Sequence, residues 1–87
     1  MVNIHDFRSL TFEKKCDTVT YYGQYLIHRF LGDCKIFLYA ADDFFIEVFY
    51  SPKYQKVLMI NAFDQPSGIE PYLDEISLAD LERRPIM

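Results

Sequence analysis

The segment between Cys34 and Phe63 constrains the fold most, because it contains three strand-like runs that are apolar at nearly every position. A strand in a one-sided sheet alternates apolar and polar side chains, whereas these runs are apolar on both faces. A chain of 87 residues has little further sequence with which to cover two apolar sheet faces. The sequence therefore predicts that its own helices cover one face, and that the other face meets a partner, a ligand or a second copy.

Length and composition predict one globular domain that spans residues 1–87. Hydrophobic residues make up 51% of the chain and charged residues 25%, which is typical of a globular protein. Two cysteines, Cys16 and Cys34, are too few for a disulfide scaffold. The chain shows no signal-peptide pattern and no apolar run long enough to span a membrane. These features predict a cytoplasmic protein without a membrane segment.

The charge distribution argues against nucleic acid as a partner. The formal net charge is −4, and residues 64–87 carry six acidic side chains against two arginines. Binding to a phosphate backbone requires several clustered Lys or Arg side chains, and no such cluster is present. We therefore expect no binding to nucleic acid.

The first segment has the pattern of a helix. Thr11 is a candidate N-cap, and Phe12, Cys16 and Val19 follow on one face at helical spacing. Gly23 is placed to end the helix in a left-handed conformation. Three upstream apolar residues are expected to add a turn that packs on the same core: Ile4, Phe7 and Leu10.

After this helix the apolar period becomes two, which predicts four strands over residues 25–31, 34–40, 44–50 and 56–63. The connections are short, so sequential hairpins and a sheet in the order 1-2-3-4 are favoured. A second short helix is predicted over residues 69–76. The fold class is therefore α+β, with an N-terminal helix, a four-stranded antiparallel meander and a short C-terminal helix.

Alternation along the strands sorts the side chains into two sets. The first set is mostly aliphatic and is expected to form the main core beneath the helix: Ile36, Leu38, Ala40, Phe44, Ile46, Val48, Tyr50, Leu58, Ile60 and Ala62. The second set combines large rings with polar groups and is the predicted interface or ligand surface: Phe37, Tyr39, Phe45, Glu47, Phe49, Met59, Asn61 and Phe63. Leaving several Phe side chains in water costs about 1–2 kcal/mol each, so we expect this surface to be covered. The C-terminal segment, a second copy and a ligand all remain open as the cover.

Glu47 is the most unusual residue of the predicted surface, because it lies in the middle of an apolar strand. Its carboxylate is expected either to be half-solvated at the sheet surface or to be buried with a partner, namely Arg29, His28, Lys35 or a Tyr hydroxyl. Either a structural ion pair or a functional acid has this appearance.

Candidate chemistry elsewhere is sparse. His28 and Cys34 flank the same predicted turn and could form a nucleophilic pair, but no third orienting group is evident. A hydrogen-bonded strand histidine is the simpler interpretation of His28, and Cys16 is expected to be a small core residue. No metal-ligand spacing or phosphate-binding loop is present, so we predict no catalytic residue, no cofactor and no metal.

Four stretches of the chain resemble a family of small uncharacterised bacterial proteins: residues 10–16 (LTFEKKC), 22–26 (YGQYL), 45–50 (FIEVFY) and 71–78 (PYLDEISL). The resemblance implies a complete free-standing domain. The family has no assigned activity, so the resemblance implies no functional residue.

Three functional hypotheses follow from these patterns. The first is a non-enzymatic protein-interaction module, a homodimer whose aromatic sheet face is the contact surface. The alternative is a small-molecule-binding or catalytic domain with a pocket around Glu47, Asn61 and Tyr39, joined by His28. A third is a small acidic partner of a basic protein, which the acidic C-terminal segment suggests.

Overall fold

The computed structural model describes residues 3–73, which form two helices, an antiparallel sheet and a short C-terminal helical segment. The elements follow one another along the chain as α1 (Ile4–Ser9), α2 (Phe12–Tyr22), β1 (Gln24–Leu31), β2 (Cys34–Ala41), β3 (Phe44–Ser51), β4 (Lys56–Phe63), a 3-10 turn (Pro66–Ile69) and α3 (Glu70–Leu73). The strands lie in the order β1-β2-β3-β4, so the predicted α+β meander is confirmed. The last three residues of the predicted helix 69–76 lie outside the described residues. No helix within residues 3–73 is long and apolar enough to cross a membrane.

Side-chain caps start both N-terminal helices. Asn3 caps α1 and Thr11 caps α2, each accepting a hydrogen bond from a backbone N–H three residues further along. Gly23 ends α2 as predicted, but its φ of −74° is extended, so the predicted left-handed conformation is wrong. Glycine is needed there for another reason: an added Cβ would lie 2.6 Å from the carbonyl oxygen of Val19.

Two-residue turns determine which side chains share a face of the sheet. Leu31 pairs with Cys34 across the first turn, and Ala41 pairs with Phe44 across the second. Directly opposed residues point to the same face, so an even-numbered residue of β2 shares its face with odd-numbered residues of β3. The sequence prediction ended β2 at Ala40 and left three residues in the second turn. With a turn of that length, even-numbered residues of β2 would lie opposite even-numbered residues of β3. All side chains of β2 therefore lie on the face opposite to the predicted one.

The main core lies between the two helices and one face of the sheet, which we call the helix face. Its buried members come from α1, α2 and three strands: Ile4, Phe7, Val19, Ala41, Phe44, Ile46, Ile60 and Ala62. The predicted contribution of Phe12 is wrong, because its side chain is 48% exposed. Phe7 takes the central place instead: it is 1% exposed, and its ring centroid lies 5.6 Å from that of Phe44.

The opposite face, which we call the Glu47 face, carries a second core. Its buried members are Ile36, Leu38 and Tyr72, with Phe45, Phe49 and Phe63 among the half-buried side chains packed against them. The assignment of Ile36 and Leu38 to the main core is therefore wrong, for the reason of register given above. Leu58 was also assigned to the main core, but it is an extra residue at a bulge in β4 and is exposed.

Replacing Phe7 with alanine is expected to lower the free energy of unfolding by about 3–5 kcal/mol, because a fully buried ring is removed and leaves a cavity. Phe12→Ala is the matched control, since it removes the same ring from a half-exposed site and should cost much less. Urea unfolding followed by circular dichroism measures both changes. Equal losses in the two variants would contradict the proposed core.

Candidate functional site

The Glu47 face carries one buried carboxylate, on β3 in the middle of the sheet. Glu47 is 7% exposed, and its neighbours across the strands are Leu38 on β2 and Asn61 on β4. A buried carboxylate is costly unless hydrogen bonds or a cation compensate it. The contacts of the Glu47 carboxylate therefore indicate whether its role is structural or functional.

Three side chains from three different elements contact the Glu47 carboxylate. Asn61 Nδ2 donates to Oε1 at 2.9 Å, and the Tyr72 hydroxyl donates to Oε2 at 2.6 Å. Arg29 of β1 places Nη2 3.6 Å from Oε2. Arg29 and a Tyr hydroxyl were among the predicted partners, and both are confirmed. His28 and Lys35, the other two candidates, do not contact Glu47.

Arg29 and Tyr72 also contact each other. The guanidinium carbon lies 4.9 Å from the centroid of the Tyr72 ring, a distance typical of a cation–π contact. The Nε atom of Arg29 is buried and has no hydrogen-bond partner among the described residues. The guanidinium is thus held by stacking and by its ion pair rather than by a full set of hydrogen bonds.

Burial raises the pKa of Tyr72 well above its ordinary value. The hydrogen bond that the hydroxyl donates to Glu47 raises this pKa further, whereas Arg29 opposes the rise. Tyr72 therefore keeps its proton at neutral pH and acts as a donor to the carboxylate.

This arrangement favours a structural role for the cluster of Glu47, Arg29, Asn61 and Tyr72. A general base needs a carboxylate oxygen within reach of a substrate proton, but both oxygens of Glu47 already accept hydrogen bonds from the chain. The donor with the raised pKa is a poor acid at neutral pH. The cluster instead fastens α3 to the three strands β1, β3 and β4.

The predicted surface is divided between the two faces of the sheet. Six of its eight members share the Glu47 face as predicted: Phe45, Glu47, Phe49, Met59, Asn61 and Phe63. The placement of Phe37 and Tyr39 on that face is wrong, because they pair with Val48 and Ile46 and point to the helix face.

The predicted small-molecule pocket is wrong in its composition for the same reason. Glu47 and Asn61 contact each other, but Tyr39 lies on the other side of the sheet. His28 pairs with Phe37 and shares the helix face with Tyr39. The suggested pairing of His28 with Cys34 also fails, since alternation along β2 directs Cys34 to the face opposite to that of Phe37.

A group of rings on the helix face is open, although the prediction expected this face to be covered. Among the described residues, α1 packs chiefly against β4 and α2 packs against β2 and β4, so neither helix makes its main contacts over β1. We call this group the open aromatic surface; its members are Tyr25, His28, Phe30, Phe37 and Tyr50. Phe30 is 65% exposed and Tyr25 is 49% exposed, while the other three are half-buried.

The rings of the open aromatic surface contact one another. The centroid of Phe37 lies 6.2 Å from Tyr25, 6.1 Å from His28 and 6.4 Å from Tyr50, in tilted or edge-on arrangements. The Tyr25 hydroxyl and His28 Nδ1 are 2.9 Å apart, which is a hydrogen-bond distance. The rings therefore form a continuous surface with fixed neighbours.

One cation borders this surface. Lys35 Nζ lies 5.1 Å from the centroid of Phe37 and 5.8 Å from that of Phe30. Lys35 thus adds a positive charge beside the rings of Phe30 and Phe37. The acidic side chain of Asp33 lies in the turn between the two strands that carry these rings.

A small pocket of about 180 Å³ lies between α2 and the helix face of the sheet. Cys16, Val19 and Tyr39 are among its lining residues. Burial raises the pKa of the Cys16 thiol, and the neighbouring carboxylates of Asp17 and Glu13 raise it further. The thiol is thus predominantly protonated at neutral pH, and its position confirms the interpretation of Cys16 as a residue packed on the core. Within residues 3–73, no three His, Cys, Asp or Glu side chains lie close enough together to hold a metal ion.

The sequence analysis missed the open aromatic surface because it assigned the side chains of β2 to the wrong faces of the sheet. The signal that could have found it is the length of the two turns. With two residues in each turn, Phe37 and Tyr50 share a face with His28 and Phe30 of β1. Tyr25 shares this face only because of the bulge at Leu26, which turn length does not reveal.

Replacing Tyr72 with phenylalanine is expected to lower the free energy of unfolding by about 1–3 kcal/mol, because the buried Glu47 carboxylate loses a hydrogen-bond donor. Tyr21→Phe removes a hydroxyl from an exposed site on α2 and serves as the control. Urea unfolding at neutral pH measures both. A Tyr72→Phe variant as stable as the wild type would contradict the structural role of the cluster.

The stability difference between wild type and Tyr72→Phe is expected to shrink as the pH rises above about 10, the ordinary pKa of tyrosine. Because the pKa of Tyr72 is raised in the folded protein, its contribution to stability is complete below that pH. Above it, the unfolded chain loses the proton while the folded protein keeps it, so the wild type is destabilised relative to the variant. Urea unfolding of both proteins between about pH 8 and pH 11 measures the change, and a constant difference over that range would contradict it.

Comparisons of the chain with protein-family models, with curated proteins and with solved structures each give no match. The resemblance to a family of small bacterial proteins stays a prediction. The function is therefore inferred from the geometry of the chain itself.

Proposed function

We propose that this protein is a non-enzymatic interaction module that self-associates through the open aromatic surface. The observation that carries the proposal is the group of contacting rings on the helix face, of which Tyr25 and Phe30 are 49% and 65% exposed within the described part of the chain. Large rings that are packed side by side and left open to solvent are typical of protein–protein interfaces.

Charge favours a second copy of the chain as the partner. The protein carries a net charge of −4, so the overall electrostatic interaction between two copies is repulsive. The five rings of the open aromatic surface carry no carboxylate, and Lys35 lies against two of them. Two such groups of rings can pack together without placing a carboxylate between them.

The composition of the surface also fits an interface. Tyr and Phe are enriched at interface cores, because each buries a large area and loses little side-chain entropy. The rings of Phe37 and Tyr25 are already fixed by their neighbours, so little ordering is needed when a partner binds.

The Glu47 face is a weaker candidate for the contact surface. Tyr72 packs on it within the chain, and Phe45 and Phe63 stack on each other with centroids 5.4 Å apart. Substitution of Phe45 or Phe49 is therefore expected to act mainly on the stability of the folded chain. The third hypothesis, an acidic partner of a basic protein, depends mostly on residues outside 3–73 and stays a prediction.

Replacing Phe37 with glutamate is expected to weaken self-association by about tenfold or more, because association would then bury a carboxylate against rings. Sedimentation velocity over a range of protein concentrations measures the effect. In the folded monomer, the new carboxylate lies near Lys35, so the substitution should not prevent folding.

Met59→Glu is the matched control, since it adds the same charge to a half-exposed strand position on the opposite face of the sheet. Met59→Glu should associate like the wild type, apart from the small loss that one added negative charge causes at any surface position. A wild-type protein whose mass stays that of a monomer at all concentrations would refute self-association, and an equal loss in both variants would refute the role of the open aromatic surface.

A further inference from the structure

We propose that two copies of this chain associate through their β1 strands, which pair antiparallel along their free edges and join the two sheets into one. This inference rests on the proposed self-association and specifies how it occurs. The partner is a second copy of the chain, and the contact consists of backbone hydrogen bonds flanked by apolar side chains.

Within residues 3–73, no strand pairs with the outer edge of β1, although α3 packs against β1 on the Glu47 face. In the strand order β1-β2-β3-β4, β1 has a neighbour on one side only. Every second residue of an edge strand directs its backbone N–H and C=O groups away from the sheet. Within residues 3–73, no side chain donates or accepts a hydrogen bond to the backbone of β1.

The other edge of the sheet is protected. Helix α1 packs against β4, and Arg8 of α1 donates a hydrogen bond from Nη2 to the carbonyl oxygen of Ala62 at 2.9 Å. The exposed Lys56 begins the strand. Proteins commonly protect edge strands with charged side chains and covering elements. Helix α3 packs against β1 as well, but of the two edge strands only β4 has a backbone group that accepts a side-chain hydrogen bond among the described residues. This difference favours β1 as the pairing strand.

The composition of β1 fits a contact between identical strands. It has neither Lys, Asp, Glu nor Pro, the residues that commonly disfavour pairing at an edge. Its one formally charged side chain, Arg29, is directed at Glu47 of the same chain. Neither β1 strand carries a carboxylate. Symmetric pairing over residues 27–31 places the two Arg29 residues opposite each other, and the charge of each is compensated by Glu47 of its own chain.

Apolar side chains flank the edge on both faces of the sheet. Phe30 is 65% exposed and Leu31 is 57% exposed, and as neighbours in a strand they point to opposite faces. Pairing along β1 would cover both of them. A specific dimer buries about 800 Å² on each partner, so backbone pairing needs such side chains beside it.

Symmetric pairing of the β1 strands would also bring the open aromatic surfaces of the two copies next to each other. A two-fold axis perpendicular to the sheet relates two antiparallel strands and keeps the same face of both copies on the same side. The open aromatic surfaces of the two copies then adjoin each other across the two β1 strands. A bulge at Leu26 interrupts the regular pairing of β1 with β2, so residues 27–31 form the regular stretch that pairs between copies.

Phe30→Glu tests the edge. The new carboxylate lies directly opposite Lys35 on β2, which favours folding of the monomer, but in the pair it lies at the contact. Leu58→Glu is the matched control: Leu58 is an exposed residue of the opposite edge strand, and the substitution changes the net charge equally. We expect Phe30→Glu to weaken dimerisation, measured by sedimentation velocity, by about tenfold or more relative to Leu58→Glu.

Amide hydrogen exchange distinguishes edge pairing from stacking of the open aromatic surfaces face to face. It is measured by NMR at protein concentrations below and above the dimerisation midpoint. Edge pairing predicts that alternate backbone amides in residues 27–31 become protected from exchange only at the higher concentration. Stacking of the surfaces without edge pairing predicts no concentration-dependent protection of these amides.

The outcomes separate the two proposals. Protection of these amides, together with the selective effect of Phe30→Glu, supports pairing through β1. A dimer without that protection, or one that Leu58→Glu weakens as much as Phe30→Glu, overturns the pairing through β1 and leaves self-association standing. A protein that remains monomeric at every concentration overturns both.

Discussion

Two tight turns set the alignment of the first three strands, and the rest of the molecule depends on that alignment. Each turn contains two residues, and both include a residue with positive φ: Gly32 at 59° and Asp42 at 51°. Gly adopts this conformation freely, and Asp tolerates it better than most residues. Because side chains alternate along a strand, one more residue in either turn would exchange the two faces of β2. The turns therefore decide which rings are packed inside and which are open.

The buried carboxylate of Glu47 is the second constraint. Removing one partner of a buried ion pair leaves an uncompensated charge, which costs about 3–5 kcal/mol. The compensating groups come from β1, β4 and α3, so these elements are tied to one point on β3. The stacking of Arg29 on Tyr72 belongs to the same arrangement. The sequence offers Glu47 as a candidate functional acid, but its contacts are best explained by a structural role in holding α3 on the sheet.

Coverage of the helix face is uneven among the described residues. Helix α1 packs chiefly against β4, where Arg8 also binds a backbone carbonyl of the edge, and α2 packs against β2 and β4. The β1 side of the same face has exposed rings, and within residues 3–73 no strand pairs with the outer edge of β1. Exposed rings and an unpaired strand edge coincide on this side of the described part of the chain. Together they favour contact with another copy over chemistry on a small molecule.

The sequence by itself determined the element types, their order and the topology, because periodicity and short connections are local properties. It also identified Glu47 as the unusual residue of β3 and included Arg29 among its possible partners, but it left open whether the carboxylate is half-solvated or buried. Only the tertiary structure decided which face of the sheet each side chain of β2 lies on. Because β2 ends at Ala41 rather than at Ala40, every side chain of β2 lies on the face opposite to the predicted one. The exposure of Phe12 and the burial of Phe7 likewise depend on where the helices lie over the sheet. Local patterns specify which residues alternate along a strand. Whether a turn contains an even or an odd number of residues, and where a helix lies over the sheet, is fixed only when distant elements pack together.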